Sequence, residues 1–136
     1  MMRDDLGFEV RLTLTKDEAI DKVTEALKAE GFGVLTRIEI DKAFKEKIGV
    51  QFRPYTILGA CNPNLAHAAL TSVPEIGLML PCNVTVEADI NGSLVRIVNP
   101  AIMMQTEELA DSDELRCVAS DAQERLQRVA ESLRTA

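Results

Sequence analysis

The chain has 136 residues, 46% of them hydrophobic and 27% charged, so one domain can bury about two-thirds of its unfolded surface and needs no metal or disulfide merely to fold. A formal net charge of −7 with no Lys/Arg run argues against nucleic acid, whose phosphates an acidic surface repels. No apolar run approaches the roughly 20 residues that cross a bilayer, the opening MMRDDLGFEV lacks the regions of a secretory leader, and an odd count of three cysteines fits free thiols, so the expectation is a cytoplasmic, membrane-free protein with reduced cysteines and no cofactor.

Phe8, Val10, Leu12 and Leu14 alternate with polar residues, which predicts a strand with one buried face. TKDE follows as a capping box, Thr15 accepting from the Glu18 amide while Glu18 reaches back. Ala19, Ile20, Val23, Ala26 and Leu27 recur at helical spacing, so residues 16–30 form a helix that Gly31 ends. Gly33–Ile40 reads as a second strand. Asp41 is placed to cap a short helix carrying Phe44 and Ile48, closed by Gly49.

Pro54–Cys61 is a third strand, and Asn62 with Pro63 starts the next helix, with a stripe of Leu65, Ala66, Ala69, Leu70 and Val73. Around Asn91-Gly92 the sequence predicts a hairpin with a two-residue type I′ turn. That turn pairs Ile90 with Ser93, Ala88 with Val95 and Val86 with Ile97, sets Glu87 against Arg96 on the outer face, and turns Cys82 inward with Val84 and Val86. QTEELADSDE reads as a loop or capped lead-in without calcium-loop spacing. A helix over 113–134 follows, its apolar stripe running from Leu115 to Leu133.

The resulting order is β-α-β-β-β-β-α with short helical insertions. Half-polar strands point to an antiparallel sheet with one solvated face rather than to buried parallel strands. The fold class expected is therefore α+β: a single domain over 1–136, core about 8–134, with a curved, mostly antiparallel sheet of about five strands under two long helices.

At YTILGACNPNLA and GLMLPCNVTV the chain resembles an uncharacterised prokaryotic family catalogued as domain of unknown function 302. The resemblance rests on Tyr55, Ile57, Leu58, Gly59, Ala60, Cys61, Asn62 and Pro63, then on Leu80, Pro81, Cys82, Asn83 and Val84, with Val95, Val98 and the last helix. It implies a fold similar to TATA-binding-protein-like domains and a homodimer, and it implies no reaction. Asn99-Pro100 departs from the family's usual Asp-Pro, so no carboxylate role carries over there.

Cys61 closes a strand just before a helix N-terminus, where amide dipoles favour a thiolate. If strands three and four pair antiparallel, Cys82 and the helix bearing His67 come to the same rim. Cys61, His67 and Cys82 then make a set of soft-metal donors. Two thiols packed as small hydrophobes explain the same residues, a fourth zinc ligand is missing, and His67 lies off its helix's apolar stripe. Asn62, Asn83 and Tyr55 complete the candidate binding set. Cys117 falls on the polar side of the last helix, so alkylation is expected in the order Cys61, Cys117, Cys82. Ala101-Ile102-Met103-Met104 is an apolar patch suited to core packing, a dimer seam or an adaptable surface.

With one histidine, few acid–base arrangements are open. The function expected first is a non-catalytic module, a small soluble homodimer that binds a small molecule or a partner between sheet and helices. The alternative is a thiol-dependent redox or metal-binding protein using Cys61 with Cys82. A purely structural or interaction protein is the third possibility.

Overall fold

The computed structural model describes residues 6–135; the opening Met1–Asp5, part of the stretch inspected for a leader, lies outside them. The chain runs β1 (Gly7–Leu12), α1 (Lys16–Ala29), β2 (Gly33–Glu39), α2 (Ile40–Ile48), β3 (Tyr55–Cys61), α3 (Pro63–Ser72), β4 (Cys82–Asp89), β5 (Gly92–Val98), α4 (Glu107–Ala110) and α5 (Asp113–Arg134). Short 3₁₀ segments at Pro74–Met79 and Pro100–Met104 join α3 to β4 and β5 to α4. All five strands form one antiparallel sheet in the order β1-β5-β4-β3-β2, so the fold is α+β, as the half-polar strands required.

The capping box at Thr15 and Glu18 is present and starts α1. Leu27 and Val23 of α1, with Leu126 and Leu133 of α5, are fully buried against Val84, Val86, Val95 and Ile97. Each such side chain contributes about 1.5–3 kcal/mol when withdrawn from water. A second cluster gathers Ala69 of α3, Ile76 and Met103 of the 3₁₀ segments, and Leu115, Val118 and Ala119 of α5. Met103 and Met104 thus pack into the chain's own core, Met103 buried, while Ala101 and Ile102 stay half-buried. Asn99 caps that 3₁₀ segment, its Oδ1 accepting from the Ala101 amide at 3.0 Å. An aspartate makes the same cap, which accounts for either residue before Pro100.

The hairpin differs from the sequence expectation in register. Asp89 pairs with Gly92, Ala88 with Ser93 and Val86 with Val95, so Ile90 and Asn91 form the turn. Neither has a positive φ, which a type I′ turn requires at both central positions. A β-branched residue at Ile90 resists that conformation. The glycine is needed one place later: at φ 151 on Gly92, a Cβ would run into the backbone of Leu12 and Thr13. Glu87 and Arg96 still share a face, because the shift is two residues, but they meet diagonally.

The opposite, open face of the sheet carries a charge ladder. Buried Glu87 accepts from Arg53 and Arg96, and Arg96 also reaches Glu9 at 3.3 Å. Burial pushes the Glu87 carboxyl up, but the two guanidinium hydrogen bonds outweigh it and hold it below the usual range. α2 lies beside this face with no buried residue. Asp41 sits inside α2 rather than capping it, and its Oδ1 accepts from the Tyr55 amide at 3.0 Å. No described helix is long and apolar enough to cross a membrane.

On the helix side, Glu39 ends β2 in a polar knot. Fully buried Thr56 donates to it at 2.7 Å, Arg37 Nε at 2.7 Å and Lys16 Nζ at 3.2 Å. Desolvation raises the Glu39 carboxyl, yet these donors pull it from 4.5 to about 2. A depressed folded value contributes stability that is complete above about 4.5 and lost as pH falls toward 2. Glu39→Gln should therefore lower unfolding free energy at pH 7 by on the order of 1–3 kcal/mol. The gap from wild type, measured by urea titration at stepped pH, should narrow between pH 4.5 and 2. A gap of constant size across that range would show that the charge contributes nothing.

Candidate functional site

β3 and β4 pair so that Ala60 stands opposite Cys82, which sets Cys61 one residue beyond it at the end of the sheet. Cys61 itself pairs with Gly33 of β2. The chain stays close here because residue 59 is glycine: a Cβ there would strike the Thr36 hydroxyl and the ring of Pro81. Leu80-Pro81, in a cis peptide, leads straight into β4. The sheet end, α3 and α5 then enclose a cavity of about 390 Å³ at the seam between the two core clusters.

Ala60, Cys61 and Cys82 form its sheet wall, Leu65, Ala66 and Leu70 its α3 wall, and Val118 and Ala122 its α5 wall. Phe32, Leu80, Pro81 and Met103 complete the apolar lining, and Leu35 and Thr36 of β2 close it on one side. Leu35 is 68% and Leu70 40% exposed, so they mark the mouth. No Lys, Arg, His, Asp or Glu is among the lining residues.

Asn62 is the one amide in the lining and is only 8% exposed. Its Oδ1 caps α3 by accepting from Leu65 N at 3.2 Å, and its Nδ2 donates to Glu30 O at 3.5 Å, the long limit of a hydrogen bond. Burial pushes the Cys82 thiol up to about 11, with the neighbouring Cys61 adding to the shift. Cys82 is therefore a neutral thiol at physiological pH. Cys61 is half-buried.

Of the residues singled out in the sequence, Cys61, Asn62 and Cys82 line one cavity. His67, Asn83 and Tyr55 do not. His67 is exposed on α3, Asn83 is exposed on the open face opposite Gly59, and Tyr55 lies on that face opposite Glu87, in a cluster with Phe52 and Arg53. The Cys61–His67–Cys82 donor set is not assembled: among the described residues, no group of three His, Cys, Asp or Glu side chains is placed to hold a metal ion. The helix-amide support for a Cys61 thiolate also thins. Pro63 has no N–H and the Leu65 amide is taken by Asn62, so of the first three helical residues only Asn64 offers one.

Phe32, Val118 and Ala122 escaped sequence reasoning as site residues. Their only mark was apolar character, which cannot distinguish a cavity wall from a filled core.

Fold and site define an α+β protein with an apolar cavity at one end of its sheet. The chain belongs to the family described as "Domain of unknown function DUF302", whose profile matches residues 8–133. It is similar to a solved structure of an uncharacterized conserved DUF302 protein from Bacillus stearothermophilus, with 28% identity and a TM-score of 0.82, over 95% of this chain and 98% of that one. No curated protein matches it significantly.

Exposure now orders the thiols: Cys117 exposed, Cys61 half-buried, Cys82 buried and protonated. Limited alkylation of the native protein at pH 8, read by mass spectrometry, should label Cys117 first, Cys61 second and Cys82 last. Cys61 labelling ahead of Cys117 would restore an activated thiol.

Proposed function

We propose that the protein is a non-catalytic binding module that holds a small molecule in the cavity at the end of the sheet, and that it works as a cytoplasmic homodimer. The observation that carries this is the cavity itself. It has the size of a small-molecule pocket and an apolar lining in which Asn62 is the one amide. Both Cys-Asn pairs begin at it: Cys61 and Asn62 line it, as does Cys82, while Asn83 turns outward. The lining holds no His, Lys, Asp or Glu to act as general acid or base beside its two cysteines, which favours binding over turnover.

Support for the dimer lies on another surface from the one expected. With Met103 buried, and apart from Leu35 and Leu70 at the cavity mouth, the exposed apolar side chains include Ile38 on edge strand β2, Ile48 on α2, and Val50 and Phe52 in the loop after it. Single exposed apolar residues are ordinary, whereas a cluster beside an unpaired strand edge calls for cover.

A ligand that prefers the folded state raises the melting midpoint, by about 2.7 kcal/mol of stabilisation at a hundred times its Kd. In a panel of neutral and charged small molecules, at least one should shift the midpoint by several degrees. Ala66→Phe, which fills the α3 wall while leaving a helix-compatible residue, should abolish that shift with circular dichroism unchanged. A shift that survives in Ala66→Phe would place binding elsewhere. Sedimentation at tens of micromolar should give twice the 14.9 kDa chain mass, and Ile38→Lys should return it to the monomer.

A further inference from the structure

We propose that the ligand of this cavity is an uncharged, mostly hydrocarbon molecule carrying one hydrogen-bond-accepting oxygen, such as a ketone, ester or lactone; this rests on the cavity being a binding site. Three observations converge on that class. The first is the absence of charge from the lining. A carboxylate, phosphate or ammonium group drawn inside would lose its water and meet no counter-ion, which is strongly unfavourable. The thiol of Cys82 does not alter this, since it stays neutral well above physiological pH.

The second is the Asn62 carboxamide. It is nine-tenths buried, its oxygen is committed to capping α3, and its nitrogen carries two protons with one long acceptor, Glu30 O. A primary amide can donate twice from that nitrogen. That nitrogen lies beside Gly31 at the end of α1, and its second N–H is the donor that an uncharged ligand oxygen at this wall would take.

The third is size. An apolar cavity of about 150 Å³ takes one benzene, so about 390 Å³ accommodates on the order of a dozen non-hydrogen atoms. The exposed side chains of Leu35 and Leu70 at the mouth give such a molecule an apolar approach.

The test compares three probes of equal chain length at pH 8: 2-decanone, decanoate and decylammonium. Binding is followed by midpoint shift and by proton-detected NMR of the lining methyl groups. The expected result is saturable binding of 2-decanone and at least tenfold weaker binding of both ions. Asn62→Ser keeps an oxygen for the α3 cap and removes the amide donor. It should weaken 2-decanone by about three- to tenfold, the worth of one hydrogen bond, and leave Cys61 accessibility unchanged. Decanoate or decylammonium binding as tightly as the ketone would overturn the ligand class while leaving the cavity a binding site. Asn62→Ser binding 2-decanone as well as wild type would remove the amide from recognition and overturn the acceptor requirement. Failure of all three probes while another molecule of the small-molecule panel still binds in an Ala66-dependent way would overturn the ligand class alone; failure of every molecule tested to shift the midpoint or the lining methyl resonances would overturn the cavity as a binding site as well.

Discussion

The pairing of β3 with β4 is the constraint on which the site depends. These strands are separated by α3 and a 3₁₀ segment, so the chain must leave the sheet at Cys61 and return at Cys82. Antiparallel pairing forces the point of departure and the point of return to be neighbours. Whatever fills the excursion must then cover that end of the sheet. α3 and the 3₁₀ segment do so incompletely, because they pack mainly against α5 and form a core of their own with it. The cavity is the space left between that small core and the larger one under α1.

The polar groups of the fold are arranged around the same sheet in complementary ways. On the open face, Glu87 is buried yet ionised because two guanidinium groups hold it. On the helix face, Glu39 is tied to Lys16 and Thr56 at the far end of β3 from Cys61. The cavity lining has no such group. A buried charge costs far more than a buried methyl unless it is paired, and the chain keeps charged side chains out of the cavity lining, the nearest pairs, Arg125–Asp121 and Arg128–Glu30, lying behind Asn62 at the end of α1.

Glycine shows how a local signal can be right in kind and wrong in place. Asn91-Gly92 is the strongest short hairpin signal, and a hairpin is there. The glycine, however, answers to the end of β1, which crosses too close for any side chain. The register therefore settles two residues from the one that turn propensity favours, and Glu87 meets Arg96 on the diagonal. Cys61 gives a parallel case. A sulfur before a helix looks activated from sequence, but the helix spends its first amides on Pro63, which has none, and on its own cap at Asn62.

What the sequence determined by itself was everything that depends on neighbours along the chain. The Thr15 capping box, the Asn62 cap with Pro63, the stripe of α5 and the alternation in β1 and β4 are each settled within a few residues, by local hydrogen bonds and by the periods of helix and strand. The alternation also carried the α+β class, because half-polar strands suit an antiparallel sheet. Only the tertiary structure decided where apolar side chains fail to fill space. Phe32, Met103, Val118 and Ala122 are 71 to 90 residues apart from first to later members along the chain, and their sequence pattern is that of ordinary core. Whether such residues pack solidly or leave a cavity depends on how helices of fixed length close over a sheet of fixed register, and that is a property of volumes in three dimensions, which periodicity does not record.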